Sequence, residues 1–242
     1  MARARAAAAV ASALLCVASA ASAASAAPFE DTMAQRVLAC TGCHGPEGRA
    51  APDGYYPRIA GKPAGYLTNQ LLNFRDGRRP YALMSNLLAP LSDAYLAEIA
   101  SHFAALELPY PAPAASDMPE AERARVARLV TEGDARRGLP ACNACHGAAM
   151  TGTAPFVPGL IGLPRDYLNA QLGAWRAGKR SAQAPDCMAQ VAQALAPDEI
   201  AQISAWLASQ PLPADTKPAV GFSAPPPIAC GGVPVGTVKA TR

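Results

Sequence analysis

The sequence predicts an all-α protein: two similar helical domains in tandem, followed by a Pro/Gly-rich C-terminal tail. Three observations carry that reading. A chain of 242 residues is longer than one small domain needs. Its second half repeats the first, block by block. Only 16% of residues are charged and 6% aromatic, with Ala and Pro abundant, which suits small helical units better than a large sheet core.

The repeat runs through three blocks. Tyr56-Pro57-Arg58-Ile59-Ala60-Gly61-Lys62-Pro63 returns as Val157-Pro158-Gly159-Leu160-Ile161-Gly162-Leu163-Pro164. Tyr66-Leu67, Gln70-Leu71 and Phe74-Arg75 return as Tyr167-Leu168, Gln171-Leu172 and Trp175-Arg176, each set ending in a basic pair, Arg78-Arg79 or Lys179-Arg180. A third block from Met84 through Leu91 to Leu106 returns from Met188 through Leu195 to Gln210. Ser92 is placed to cap a helix with Tyr95, Leu96, Ile99, Phe103 and Leu106 at helical spacing. Pro197 stands at a first helical position ahead of Ile200, Ile203, Trp206 and Leu207. A further amphipathic helix opens the second half at Glu120 to Val130, and Pro109, Pro111 and Pro113 read as a linker.

The N-terminus has the form of a signal peptide. Arg3 and Arg5 precede an apolar run, and a small-residue stretch with A-x-A sites follows, including Ala24-Ser25-Ala26. The run is too short to span a bilayer, although an uncleaved anchor is the alternative. Cys16 raises the idea of a lipoprotein, but Leu15 stands where a small residue is wanted. The formal charge of +3 falls close to zero once Arg3 and Arg5 leave, so no strong field remains to attract nucleic acid or an anionic membrane.

Of the seven cysteines, four form Cys40-Thr41-Gly42-Cys43-His44 and Cys142-Asn143-Ala144-Cys145-His146. Each is C-x-x-C-H, the attachment signature of c-type haem. Two thiols one helical turn apart each add to a haem vinyl group, and the His that follows is held beneath the ring as an iron ligand. A four-cysteine zinc site is disfavoured, because about a hundred residues separate the two motifs. A thioredoxin-like pair lacks its βαβ setting, and chance disulfides do not explain a His after both pairs.

The iron needs a sixth ligand or an open site. His102 has Trp206 as its repeat counterpart and sits beside Ile99 and Leu106, which reads as packing. Met33 and Met150 lie close to the attachment motifs, and Met118 falls in the linker. Met84 and Met188 precede the final helix of each half at matching positions and are the candidate ligands, with core filling as the bland alternative. Two further cysteines, Cys187 and Cys230, form an even remainder in an oxidising compartment, which suggests a disulfide. The rivals are two free thiols, or Cys187 ligating iron as a thiolate.

Across about residues 30 to 210, the chain resembles the diheme cytochrome c4 family, with two class I cytochrome c folds in tandem. The resemblance implies two covalent haems ligated by His44 with Met84 and His146 with Met188. It also implies that the carbonyls of Pro57 and Pro158 accept the proximal His ring N–H, fixing the ring and raising its basicity. The expected organisation is a signal peptide at 1–27, cytochrome c domains at 28–108 and 119–210, a linker at 109–118 and an extended tail at 211–242. Two departures stand out: the second half has extra residues before its Met, ending Pro185-Asp186-Cys187-Met188, and the tail is not expected in the family.

A six-coordinate His/Met iron leaves no site for substrate, so the expectation is an electron carrier and not an enzyme. Arg75, Arg79, Arg176 and Arg180 are candidate partners for haem propionates, with solvated helix faces as the alternative. The implied setting is the periplasm, with membrane association a further possibility. The implied partners are a respiratory complex or dehydrogenase as donor and a terminal oxidase or other cytochrome as acceptor. Three classes stay open: a soluble or peripheral shuttle, the cytochrome subunit of a dehydrogenase complex oxidising sulfide, thiosulfate or an alcohol, and an enzyme with an open or Cys-ligated haem.

Overall fold

The computed structural model describes residues 30–51 and 54–234. The expected signal peptide, with Cys16, lies outside the described residues. The first half opens with α1 (Met33–Arg36), whose N-cap Thr32 accepts from the Gln35 N–H, and α2 (Leu38–His44). It continues with α3 (Ala64–Arg75), α4 (Ala82–Leu88) and α5 (Asp93–Ala104). Ser92 caps α5 by accepting from the Tyr95 N–H, which satisfies one of the donors a helix start leaves open. The apolar stripe of α5 then faces α3, and Leu67, Leu88, Leu96, Ile99 and Phe103 close the first core around Val37.

The second half repeats the plan with α6 (Glu120–Glu132), α7 (Asn143–His146), α8 (Arg165–Arg176), α9 (Cys187–Ala194) and α10 (Pro197–Ala208). Pro197 occupies the first helical position of α10, and Glu199 reaches back to accept from the Ala196 N–H at 2.8 Å. α10 packs on α8 as α5 packs on α3. Val126, Leu129, Val130, Leu168, Ile200, Ile203 and Leu207 form this core, and each fully buried Leu or Ile contributes roughly 1.5–3 kcal/mol.

Two features go beyond the helical expectation. A small sheet of order β2-β1-β3 joins β1 (Gly152–Ala154), β2 (Val157–Pro158) and β3 (Ala219–Val220). β1 pairs antiparallel with β2, and parallel with β3 from the tail. Strands of two or three residues are too short to carry a readable period. The tail therefore docks on the second half. The segment between the halves is also held: Arg58, 3% exposed, donates to the Pro109 carbonyl at 2.9 Å and stacks on Tyr110, and Met118 is buried in the second core.

Candidate haem-binding sites

Each attachment motif ends a short helix, so its two cysteines lie one turn apart and its His stands at the helix C-terminus. A glycine turns the chain sharply at that point. Gly45 has φ 75°, and a Cβ there would lie 2.3 Å from the Ala50 carbonyl oxygen; Gly147 has φ 81° and would meet the Gly152 oxygen at 2.8 Å. Both glycines directly follow the motif His, a repeat signal that the sequence reading passed over.

The turn brings each His onto the loop after it. His44 Nδ1 lies 2.8 Å from the Pro57 carbonyl and His146 Nδ1 lies 2.7 Å from the Pro158 carbonyl. A carbonyl only accepts, so each Nδ1 carries the proton and each Nε2 keeps a free lone pair. Burial pushes both imidazoles below their ordinary range, which holds them in the neutral form a metal ligand needs.

His44, Cys40, Cys43 and Met84 line one cavity of about 1070 Å³, with Met84 supplied by α4. His146, Cys142, Cys145 and Met188 line a second of about 210 Å³, with Met188 at the start of α9. Burial raises the Cys40 and Cys145 thiols and pushes Cys142 up to about 11. The two motifs line separate cavities, so their four thiols do not converge on one zinc site. Cys187 is bonded to Cys230, so its sulfur is not a thiolate. His102 stands edge-on to Phe103 at 5.2 Å and lines neither cavity.

The arginines divide in two. Arg75 pairs with Asp93 at 2.7 Å and donates to the Leu91 carbonyl, and Arg176 donates to the Gln193 and Leu195 carbonyls. Both are committed to holding local loops. Arg79 and Arg180 instead meet between the cavities. Arg79 donates to Gln70 Oε1 at 3.0 Å and Gln171 Oε1 at 2.7 Å; Arg180 donates to the same two oxygens at 2.7 and 2.6 Å. Arg180 is 5% exposed, rests on the Trp175 ring at 3.6 Å, and is pushed down to about 10 by burial and then by Arg79.

Two like charges, the buried Arg180 and the half-buried Arg79, share the same amide oxygens with no ion pair of their own among the described residues, and form a site that anions complete. Two propionate-bearing macrocycles fit that requirement, and the apolar cavities, each with a thiol pair for covalent attachment and imidazole and thioether donors for the iron, fit the rest. Sequence reasoning missed Lys62. It lines both cavities, is 5% exposed, and burial pushes it down to about 8. Its repeat counterpart Leu163 is apolar, so the repeat gave no signal for it.

Fold and site together define a tandem class I c-type cytochrome. The cytochrome c family profile matches residues 124–211. The chain is 36% identical to the thiosulfate dehydrogenase electron acceptor of Thiomonas intermedia, over 82% of this chain and 91% of that protein. It is 32% identical to cytochrome c4 of Pseudomonas aeruginosa, over 71% of this chain and 84% of that protein. Among solved structures, it is similar to reduced cytochrome c4 from Pseudomonas stutzeri, with TM-score 0.62 and 28% identity over 73% of this chain and 96% of that one. It is also similar to thiosulfate dehydrogenase (TsdBA) from Marichromatium purpuratum, with TM-score 0.62 and 35% identity over 72% of this chain; there it spans 36% of the other chain. The chain belongs to the diheme cytochrome c4 family. It carries two covalently bound haems c, transfers electrons between redox partner proteins, and is not itself an enzyme.

Proposed function

We propose that this chain is a periplasmic electron acceptor for a thiosulfate-oxidising dehydrogenase, with its irons held by His44 and Met84 and by His146 and Met188. The similarity to the Thiomonas electron acceptor along nearly its whole length carries the choice of donor. A signal peptide at 1–27 is the proposed route to the periplasm, and no helix among the described residues is long and apolar enough to cross a membrane.

When bound, each haem supplies one-electron exchange between ferric and ferrous iron, and a thioether ligand favours the ferrous form. The chain supplies the rest. The Pro57 and Pro158 carbonyls orient the two imidazoles. Apolar walls keep water from the ligand bonds. Arg79 and Arg180, shared through Gln70 and Gln171, are placed to hold propionates of both sites and so to fix one site against the other.

The test mixes ferric holoprotein with a thiosulfate dehydrogenase and thiosulfate. Reduction of both haems in the visible spectrum is the expected result. Protein that ascorbate reduces but dehydrogenase and thiosulfate leave ferric would reject this donor. It would favour the second reading, a respiratory shuttle, which the similarity to cytochrome c4 supports.

A further inference from the structure

The two sites differ in how they meet solvent, and the repeat shows why. Aligning Met84 with Met188 sets Leu83 against Cys187 and Leu87 against Val191. On α4, Leu83 is 61% exposed and Leu87 is 44% exposed, and both line the mouth of the first cavity. On α9 the same face is covered. Cys187 is bonded to Cys230 in the tail, and Val191 packs on the second core. The tail is pinned on either side of that bond: the Gly231 N–H donates to the Pro185 carbonyl at 2.9 Å, and Asn69 in the first half donates to the Gly232 carbonyl at 2.8 Å. Phe222, Ile228 and Val233 line the second cavity from the tail.

We propose that the exposed face of α4, at Leu83 and Leu87, is the docking surface through which partner proteins exchange electrons, while the tail confines the second haem to exchange with the first. This rests on the electron-acceptor reading above. The occupant is a redox protein that presents an uncharged, apolar surface. One observation identifies that chemistry. The segment covering the equivalent face, residues 219–234, contains no charged side chain. In each encounter one electron leaves the partner's reduced centre and enters the first site, with no bond made or broken.

The experiment uses full-length holoprotein carrying Leu83→Ser and Leu87→Ser, which removes exposed apolar area without adding charge. Two rates are read: electron self-exchange between ferric and ferrous copies by NMR, and reduction by thiosulfate dehydrogenase with thiosulfate. The docking face is expected to slow both by about tenfold, because central apolar contacts dominate such interfaces. The ferric near-infrared band and the reduction potentials are measured alongside, both rates are compared at matched driving force, and the wild-type rates change by less than about twofold with salt. Self-exchange at the wild-type rate in the variant would overturn the proposal, as would a steep salt dependence. If self-exchange slows while the dehydrogenase fails to reduce even the wild type, the donor assignment falls and the docking face stands. Releasing the tail with Cys187→Ser and Cys230→Ser adds a second arm: paramagnetic relaxation agents should then broaden the second haem's methyl signals, which are protected in the wild type. Broadening of those signals in the wild type itself would refute the shielding.

Discussion

Replacing both Cys187 and Cys230 by Ser tests how far the tail belongs to the second domain. Changing both avoids leaving a lone thiol beside Met188. The bond closes a loop with a sequence separation of 43, for which the chain-entropy relation gives about 4 kcal/mol at 25 °C. Undocking would also expose Phe222, now 6% exposed, a side chain whose burial is worth roughly 1.5–3 kcal/mol. If the tail stays seated through β3 and the Asn69 bond, only the first amount is lost. If it leaves, both are lost. The assay is guanidinium unfolding of the holoprotein followed by tryptophan fluorescence, which haem quenches in the folded state. Both tryptophans, Trp175 and Trp206, lie in the second half, so the signal reports that half alone. A loss under about 1 kcal/mol would show that the closed loop does little for the folded protein and would refute the reasoning.

Further expectations follow from the site and its supports. Gly45→Ala forces a Cβ against the Ala50 oxygen at a positive φ, so it should cost about 2–3 kcal/mol and lower the yield of protein with the first haem attached, read by intact mass. Arg180→Gln removes charge-assisted bonds to Gln70 and Gln171, and should cost about 1.5–3 kcal/mol in denaturant unfolding and lower the reduction potentials by removing a buried positive charge near both sites. Arg137 donates to Asp134 and Glu199 and holds both carboxyls below their ordinary range. A depressed folded pKa means this stabilisation is complete above the unfolded value of about 4 and is lost as pH falls through the folded value. Wild-type melting temperature should therefore drop on acidification in that window, and Arg137→Ala should flatten the drop.

The fold class was legible because the repeat is carried by residues with local physical roles. Ser92 and Pro197 announce helix starts, and the apolar spacing of α5 and α10 announces which faces meet α3 and α8. The attachment motifs were legible because their chemistry is covalent and needs contiguous residues. Other features depend on contacts distant in sequence. Pairing of β3 with β1 brings residues 219–220 to 153–154, which no local pattern encodes. The roles of the four arginines were not separable on the chain: Arg75 ends α3 and Arg79 comes four residues later, yet one meets Asp93 and the other meets Gln171 of the opposite half. Lys62 was hidden because it looks like an ordinary surface lysine until the second half covers it.

The central claim is that each half presents one histidine and one methionine to its iron, which makes the protein a carrier of electrons. The near-infrared absorption of the ferric holoprotein, which reports Fe(III)–Met bonding, tests it most directly. Met84→Ala and Met188→Ala are each expected to abolish about half of that band, and the double variant all of it, while both haems remain attached. A band unchanged in either single variant would contradict the claim for that half and move the sixth ligand to another residue.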